Sequence, residues 1–172
     1  MRTSTTHPIR VDWITENIGI TFAPGKKARS AFGGAWHRNL SVDLDRLKNT
    51  YKVHTLVSLI EEHELERLAI PNLVKECTDR GITIFRSPVP DGYVPEQSQA
   101  QAIVRYALQV IKEGTEVVFH CKGGLGRAGT LCACTIKALG AYSQEAIDLT
   151  RKHRPGAIEN PGQENFIRNF RL

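Results

Sequence analysis

The chain has 172 residues, enough for one domain spanning 1–172 whose core needs no disulfide or metal staple. With 41% hydrophobic and 24% charged residues it has the composition of a folded globular protein, which excludes a disordered or fibrous chain. The formal net charge of +5 suits anionic ligands, but the Lys and Arg residues are scattered rather than massed, so no nucleic acid is expected as a partner.

Residues 1–10, with Thr3, Ser4, Thr5, Thr6 and a His7-Pro8 step, read as a loosely ordered start. They hold no apolar leader, and no window approaches the ~18 apolar residues of a membrane span. Ile18 to Phe22 is a strand, stopped by Ala23-Pro24-Gly25. Residues 26–40 lack periodicity and read mostly as loop. Ser41 N-caps a helix over 42–49. Val53 to Ile60 is a buried strand, followed by a short helix over 61–68 and another that Pro71 opens and Gly81 closes. Ile82 to Phe85 is the next strand, and Ser87 to Pro95 is a turn-rich loop around Asp91-Gly92. A helix then runs from Pro95 to Glu113, with Ile103, Tyr106, Ala107 and Val110 at helical spacing. Val117 to Phe119 is a strand that leads through His120 and Cys121 into a glycine-rich loop and an apolar helix over 128–139. Ser143 caps a helix to Lys152, and Pro161 starts the last one. This alternation predicts an α/β fold: a central, mostly parallel sheet flanked by helices.

Of the four cysteines, Cys132 and Cys134 lack zinc-site spacing, and Cys77, Cys132 and Cys134 lie in apolar helical stretches where a free thiol behaves as a small hydrophobe. No disulfide framework is expected, which favours a reducing, cytoplasmic setting. Cys121 is different. In His120-Cys121-Lys122-Gly123-Gly124-Leu125-Gly126-Arg127 the glycines let successive N–H groups turn inward ahead of a helix N-terminus, a nest for a tetrahedral dianion. Arg127 can hold two phosphate oxygens with its planar fork, and the same positive field favours a Cys121 thiolate. A buried packing cysteine or a nucleotide-binding turn is the alternative. The loop fits neither Gly-x-x-x-x-Gly-Lys-[Ser/Thr] nor Gly-x-Gly-x-x-Gly, and packing does not explain His120, Cys121 and Arg127 together.

The His-Cys-x5-Arg form of that loop resembles the signature of the protein tyrosine phosphatase superfamily, and within it the dual-specificity branch near the kinase-associated phosphatases. Ala23-Pro24-Gly25, Glu64-Leu65, Ile70-Pro71-Asn72-Leu73, Pro88 to Gly92 with Pro95, and Arg154 to Ile158 are similar as well. The resemblance implies a cysteine-phosphatase fold. It also implies hydrolysis of phosphotyrosine, and of phosphoserine or phosphothreonine, in proteins through a phosphocysteine on Cys121. No cofactor and no metal is called for, because Arg127 and the amides of Lys122, Gly123, Gly124, Leu125 and Gly126 supply the positive charge.

Asp91 matches the general acid of such enzymes; on its own, Asp91-Gly92 reads as a turn. The resemblance gives His120 a loop-ordering role and Gln163 a water-positioning one, against the plainer readings of a satisfied buried histidine and a polar residue in a helix's first turn. Lys122 reads equally as an attraction for anionic substrates and as a solvated loop residue. Ala128 departs from the pattern: the usual Ser or Thr hydroxyl after the arginine, which eases sulfur out of the phosphocysteine, is missing, and slow breakdown of the intermediate is expected. The partner is then a phosphorylated protein or another anionic phosphomonoester, with no membrane involved and no oligomeric state specified. A phosphoinositide or RNA 5′-phosphatase is the alternative enzyme, although Leu125 stands where phosphoinositide enzymes have a second lysine. A phosphate-binding module of low turnover is the alternative outside enzymes. Oxidation of Cys121, with another cysteine as its partner, competes with three merely structural thiols.

Overall fold

A computed structural model describes residues 1–30 and 34–172. In chain order the elements are β1 (Asp12–Trp13), β2 (Ile18–Phe22), β3 (Lys27–Ser30), β4 (Gly34–His37), α1 (Leu40–Asn49), β5 (Thr55–Ser58), α2 (Glu62–Arg67), α3 (Leu73–Asp79), β6 (Thr83–Arg86), α4 (Gln97–Lys112), β7 (Val117–Cys121), α5 (Gly126–Ala138), α6 (Ser143–His153) and α7 (Pro161–Asn169).

The central sheet runs β1-β2-β7-β5-β6. The pairs β2–β7, β7–β5 and β5–β6 are parallel, and only the edge strand β1 is antiparallel. Every residue of β5 and β7 is buried, as expected of strands covered on both faces. Helix α5 is buried from Gly126 to Ile136, because it is apolar all round and packs on β7 and β2 among α4, α6 and α7. Helices α1 and α3 pack on each other separately. Register places Phe22 opposite Cys121, and Ser58 opposite His120, so the carboxyl end of β7 lies between those of β2 and β5. Open α/β sheets bind their ligands at this end.

Several local expectations are corrected. The expected loop over 26–40 contains the antiparallel hairpin β3–β4, with positions 31–33 outside the described residues. Its strands are short and carry Lys27, Arg29 and His37, so no apolar alternation betrays them. Residues 1–10 are held rather than loose: Ile9 is fully buried, Arg2 pairs with Ala35 and His37, and the His7 carbonyl accepts a hydrogen bond from Arg38 Nη1 at 2.7 Å. Asn39, not Ser41, caps α1 by accepting the Val42 N–H at 3.0 Å. Tyr142 rather than Ser143 occupies the cap of α6, its N–H bonded to Glu145 at 2.9 Å. Only Thr55–Ser58 of the stretch 53–60 pairs as strand. Helix α5 starts at Gly126 rather than at 128, which brings Arg127 into its first turn. Among the described residues no helix is long and apolar enough to cross a membrane.

Candidate active site

The chain leaves β7 at Cys121 and enters α5 at Gly126, and the loop's shape follows from where its carbonyls go. The Lys122 carbonyl accepts the Ala23 N–H at 3.2 Å and Lys26 Nζ at 3.1 Å. The Gly123 and Gly124 carbonyls accept Arg154 Nη2 and Nε at 2.8 and 2.9 Å. The Leu125 carbonyl accepts the N–H groups of Gly129 and Ile158 at 3.0 and 3.2 Å. Four successive carbonyls are thus held from outside. In a trans peptide the next N–H points the opposite way, so the amides of Gly123, Gly124, Leu125 and Gly126 face the interior of the loop. Gly124, at φ 67, lies against the Thr21 carbonyl, where any Cβ would collide.

That interior belongs to a cavity of about 340 Å3 lined by Cys121, Lys122, Gly123, Leu125, Gly126 and Asp91, together with Lys26, Arg29, Trp36 and Glu159. Cys121 is 4% exposed and opens onto this cavity. Arg127, 1% exposed, makes a bidentate pair with Glu64, Nη1 to Oε2 at 2.7 Å and Nη2 to Oε1 at 2.8 Å, while Nη1 also reaches the Val89 carbonyl at 2.8 Å. Its buried Nε–H has no partner among the described residues and remains free to donate to a ligand. Burial alone would raise the Glu64 carboxyl, but the Arg127 hydrogen bonds, the Glu61 N–H and the arginine's charge hold it below its ordinary value. Glu64 therefore stays ionised and fixes the guanidinium plane.

Asp91 sits in a turn with Gly92 at φ 83, where the Tyr93 N–H meets the Pro90 carbonyl, so the turn reading and the cavity position both hold. Its carboxylate is 61% exposed, and Oδ1 lies 3.2 Å from Arg127 Nη2. Asn160 Nδ2 ties the turn down by donating to the Gly92 carbonyl at 3.0 Å. Gln163 is fully buried. Its Oε1 accepts the Glu159 N–H at 2.8 Å and its Nε2 has no partner among the described residues; a Cβ on Gly126 would strike both Gln163 and Glu159. Burial, and then the charge of Asp91, raises the Glu159 carboxyl.

His120 lies behind the loop. Burial pushes its pKa down to about 4, so the ring is neutral near pH 7. Its Nδ1–H donates to the Cys121 carbonyl at 3.2 Å, the only role the acceptor allows. Lys122 lines the mouth of the cavity and of two neighbouring ones. Ala128 is fully buried and offers no hydroxyl, and the nearby Thr130 hydroxyl is committed to the Gly126 carbonyl at 2.7 Å. Cys77, Cys132 and Cys134 are free and fully buried; burial pushes the first two up to about 12 and the third higher still.

Of the residues singled out in the sequence, Cys121, Lys122, Gly123, Leu125, Gly126 and Asp91 line this cavity, Arg127 contacts Asp91, and Gln163 lies against Gly126. Lys26, Glu64, Arg154, Glu159 and Trp36 also stand at the site, and no local motif marks them. Glu64 and Arg154 lay within segments similar to the phosphatase family, and that was the one signal available for them. Chemically the arrangement offers a thiol nucleophile, inward amides and a fixed guanidinium for a tetrahedral anion, and a carboxyl group above them.

A family model for a DSP-PTPase phosphatase of polymorphic toxin systems matches residues 36–141. The chain belongs to this family. It is a phosphatase of the protein-tyrosine and dual-specificity class. The mouse protein cyclin-dependent kinase inhibitor 3 is 29% identical over 174 residues, which cover 95% of this phosphatase and 79% of the mouse chain. The tyrosine-protein phosphatase CDC14 of Saccharomyces cerevisiae is 37% identical over 90 residues, 52% of this chain but 16% of its own. Among solved structures, kinase-associated phosphatase with its catalytic-site cysteine replaced by serine superposes with a TM-score of 0.83 at 25% identity, covering 92% of each chain.

Proposed function

We propose that this phosphatase uses Cys121 as its nucleophile on phosphotyrosine, phosphoserine or phosphothreonine in protein substrates, with Asp91 as general acid and base. The observation that carries the reading is the ring of outward-held carbonyls from Lys122 to Leu125, which aims the loop's amides at the space before Cys121. The Cys121 thiolate attacks phosphorus as the bond to the leaving oxygen breaks and Asp91 gives that oxygen its proton. Water then attacks the phosphocysteine, its proton passes to Asp91, and the sulfur leaves as thiolate. The amides and Arg127 stabilise the equatorial oxygens in both steps, and Gln163 Nε2 is a donor for the attacking water.

A protein segment carrying acidic neighbours suits the mouth of the site. An adjoining cavity of about 410 Å3 is lined by Lys27, Arg29, Arg67 and Lys122 with no carboxylate among its lining residues. The reading is tested with p-nitrophenyl phosphate and a panel of phosphopeptides, phosphoinositides and 5′-phosphorylated RNA. C121S is expected to abolish turnover while still binding phosphate, and D91N to lower kcat by about 100-fold or more. Wild-type rates in C121S would overturn the nucleophile, and a higher kcat/KM on the lipid or RNA would overturn the protein substrate.

A further inference from the structure

Lys26 is a buried cation with no carboxylate partner among the described residues. Its backbone is pinned on both sides. The Gly25 N–H donates to Asp43 Oδ2 at 2.8 Å, the Lys26 carbonyl accepts the Arg38 N–H at 3.3 Å, and the Lys27 N–H donates to the Leu68 carbonyl at 2.9 Å. Nζ lies over the adjoining rings of Phe22 and Trp36, 4.6 and 4.8 Å from their centroids. Nζ ends on the Lys122 carbonyl at 3.1 Å, in the wall of the cavity that holds Cys121, and the residue is 7% exposed. Asp43, which accepts the Gly25 N–H, is taken up by Arg38 in a bidentate pair at 2.7 and 2.8 Å.

The charged groups facing Lys26 are Arg38 from the end of the hairpin, Arg154 after α6, Lys122 in the loop, and Cys121. Three of these are cations. Arg29, Asp91 and Glu159 line the same cavity, but Asp91 pairs with Arg127 at 3.2 Å and neither carboxylate acts on Lys26, so the facing group that can carry negative charge toward it is the cysteine. Burying an unpaired ammonium costs more than a single hydrogen bond to a carbonyl returns, aromatic faces notwithstanding. The missing counter-charge is completed when Cys121 is a thiolate or when a phosphoryl group occupies the loop.

We propose that Lys26 is a positioning and charge-balancing residue of the active site, whose ammonium stabilises the Cys121 thiolate and the bound phosphoryl group while holding the Lys122 carbonyl turned outward. Burial first, and then Arg38, Arg154 and Lys122, push its pKa down to about 8, against the pull of Cys121. The free enzyme thus loses this charge above about pH 8, whereas a bound dianion keeps the proton on.

The proposal rests on Cys121 being the nucleophile, and its test does not depend on turnover. The rate of Cys121 alkylation by iodoacetamide is followed against pH, with and without inorganic phosphate; the other three thiols are buried and do not compete. In K26M the midpoint of the alkylation profile is expected to rise, slowing reaction below it by about tenfold, and phosphate protection should weaken by about as much. K26R, which stays charged, should keep the wild-type midpoint and lose less phosphate protection between pH 7 and 9 than wild type, whose Lys26 must take up a proton as phosphate binds. K26M with the wild-type midpoint and protection would overturn the proposal. So would K26R behaving like K26M, because that would make the side chain's shape rather than its charge the cause. Failure of C121S to abolish turnover, by contrast, would strike the nucleophile and leave this charge titration readable.

Discussion

Ala128 and His120 show how one side chain can shift a whole step or a whole stability curve. With no hydroxyl at position 128 and the Thr130 hydroxyl engaged with Gly126, the sulfur of a phosphocysteine leaves without a hydrogen-bond donor from this turn of α5. A hydrogen bond to a charged group contributes about 1.5–3 kcal/mol, so A128S is expected to raise kcat by about tenfold when breakdown limits turnover. Stopped-flow should show a burst in wild type that shrinks in A128S; no burst in either would discard the slow step. His120 acts on stability. Its pKa falls from the ordinary 6.5 to about 4 on folding, so the unfolded chain takes up a proton first. The stabilisation is full above 6.5 and is lost as pH falls through about 4, about 3 kcal/mol in all. Urea midpoints measured from pH 7 to 4 should fall more steeply for wild type than for H120Q; parallel curves would refute the assignment.

Among the elements, the segment after α6 matters out of proportion to its size. Arg154 donates to the Gly123 and Gly124 carbonyls and pairs with Asp12 on β1 at 2.7 Å, so a two-residue edge strand orients the hand that holds the loop. R154M should leave the helices intact by circular dichroism and lower kcat/KM by about 100-fold, as two amides lose their aim; D12N should do the same more weakly. Equal kcat/KM in R154M would mean that the loop holds its shape without the clamp. The sequence made the strand–loop–helix at 117–138 legible because apolar runs and glycines mark it locally. It did not reveal the hairpin, because Lys27 and Arg29 line the mouth of the site rather than a core. Nor did it reveal β1, which two residues cannot announce. Asp91 was legible through the loop it sits in. Glu64, Lys26 and Arg154 were not given roles, since each reaches the site only through chain reversals that no spacing encodes.

At the scale of the whole molecule, four cations, Lys26, Arg29, Arg67 and Lys122, border the catalytic cavity or its neighbours. Association with an acidic phosphopeptide should therefore weaken with salt, kcat/KM falling about threefold or more between 0.05 and 0.5 M while kcat changes little. A flat salt profile would remove the cations from substrate capture. The carbonyl ring carries a further consequence. Its holders come from the turn after β2, from the segment after α6, and from α5 itself, so the loop is gripped by parts of the chain far apart in sequence. A form that opens at any one of these segments leaves carbonyls of the ring unheld. Catalytic competence in this molecule is a cooperative property, gained and lost in the same transition as the fold.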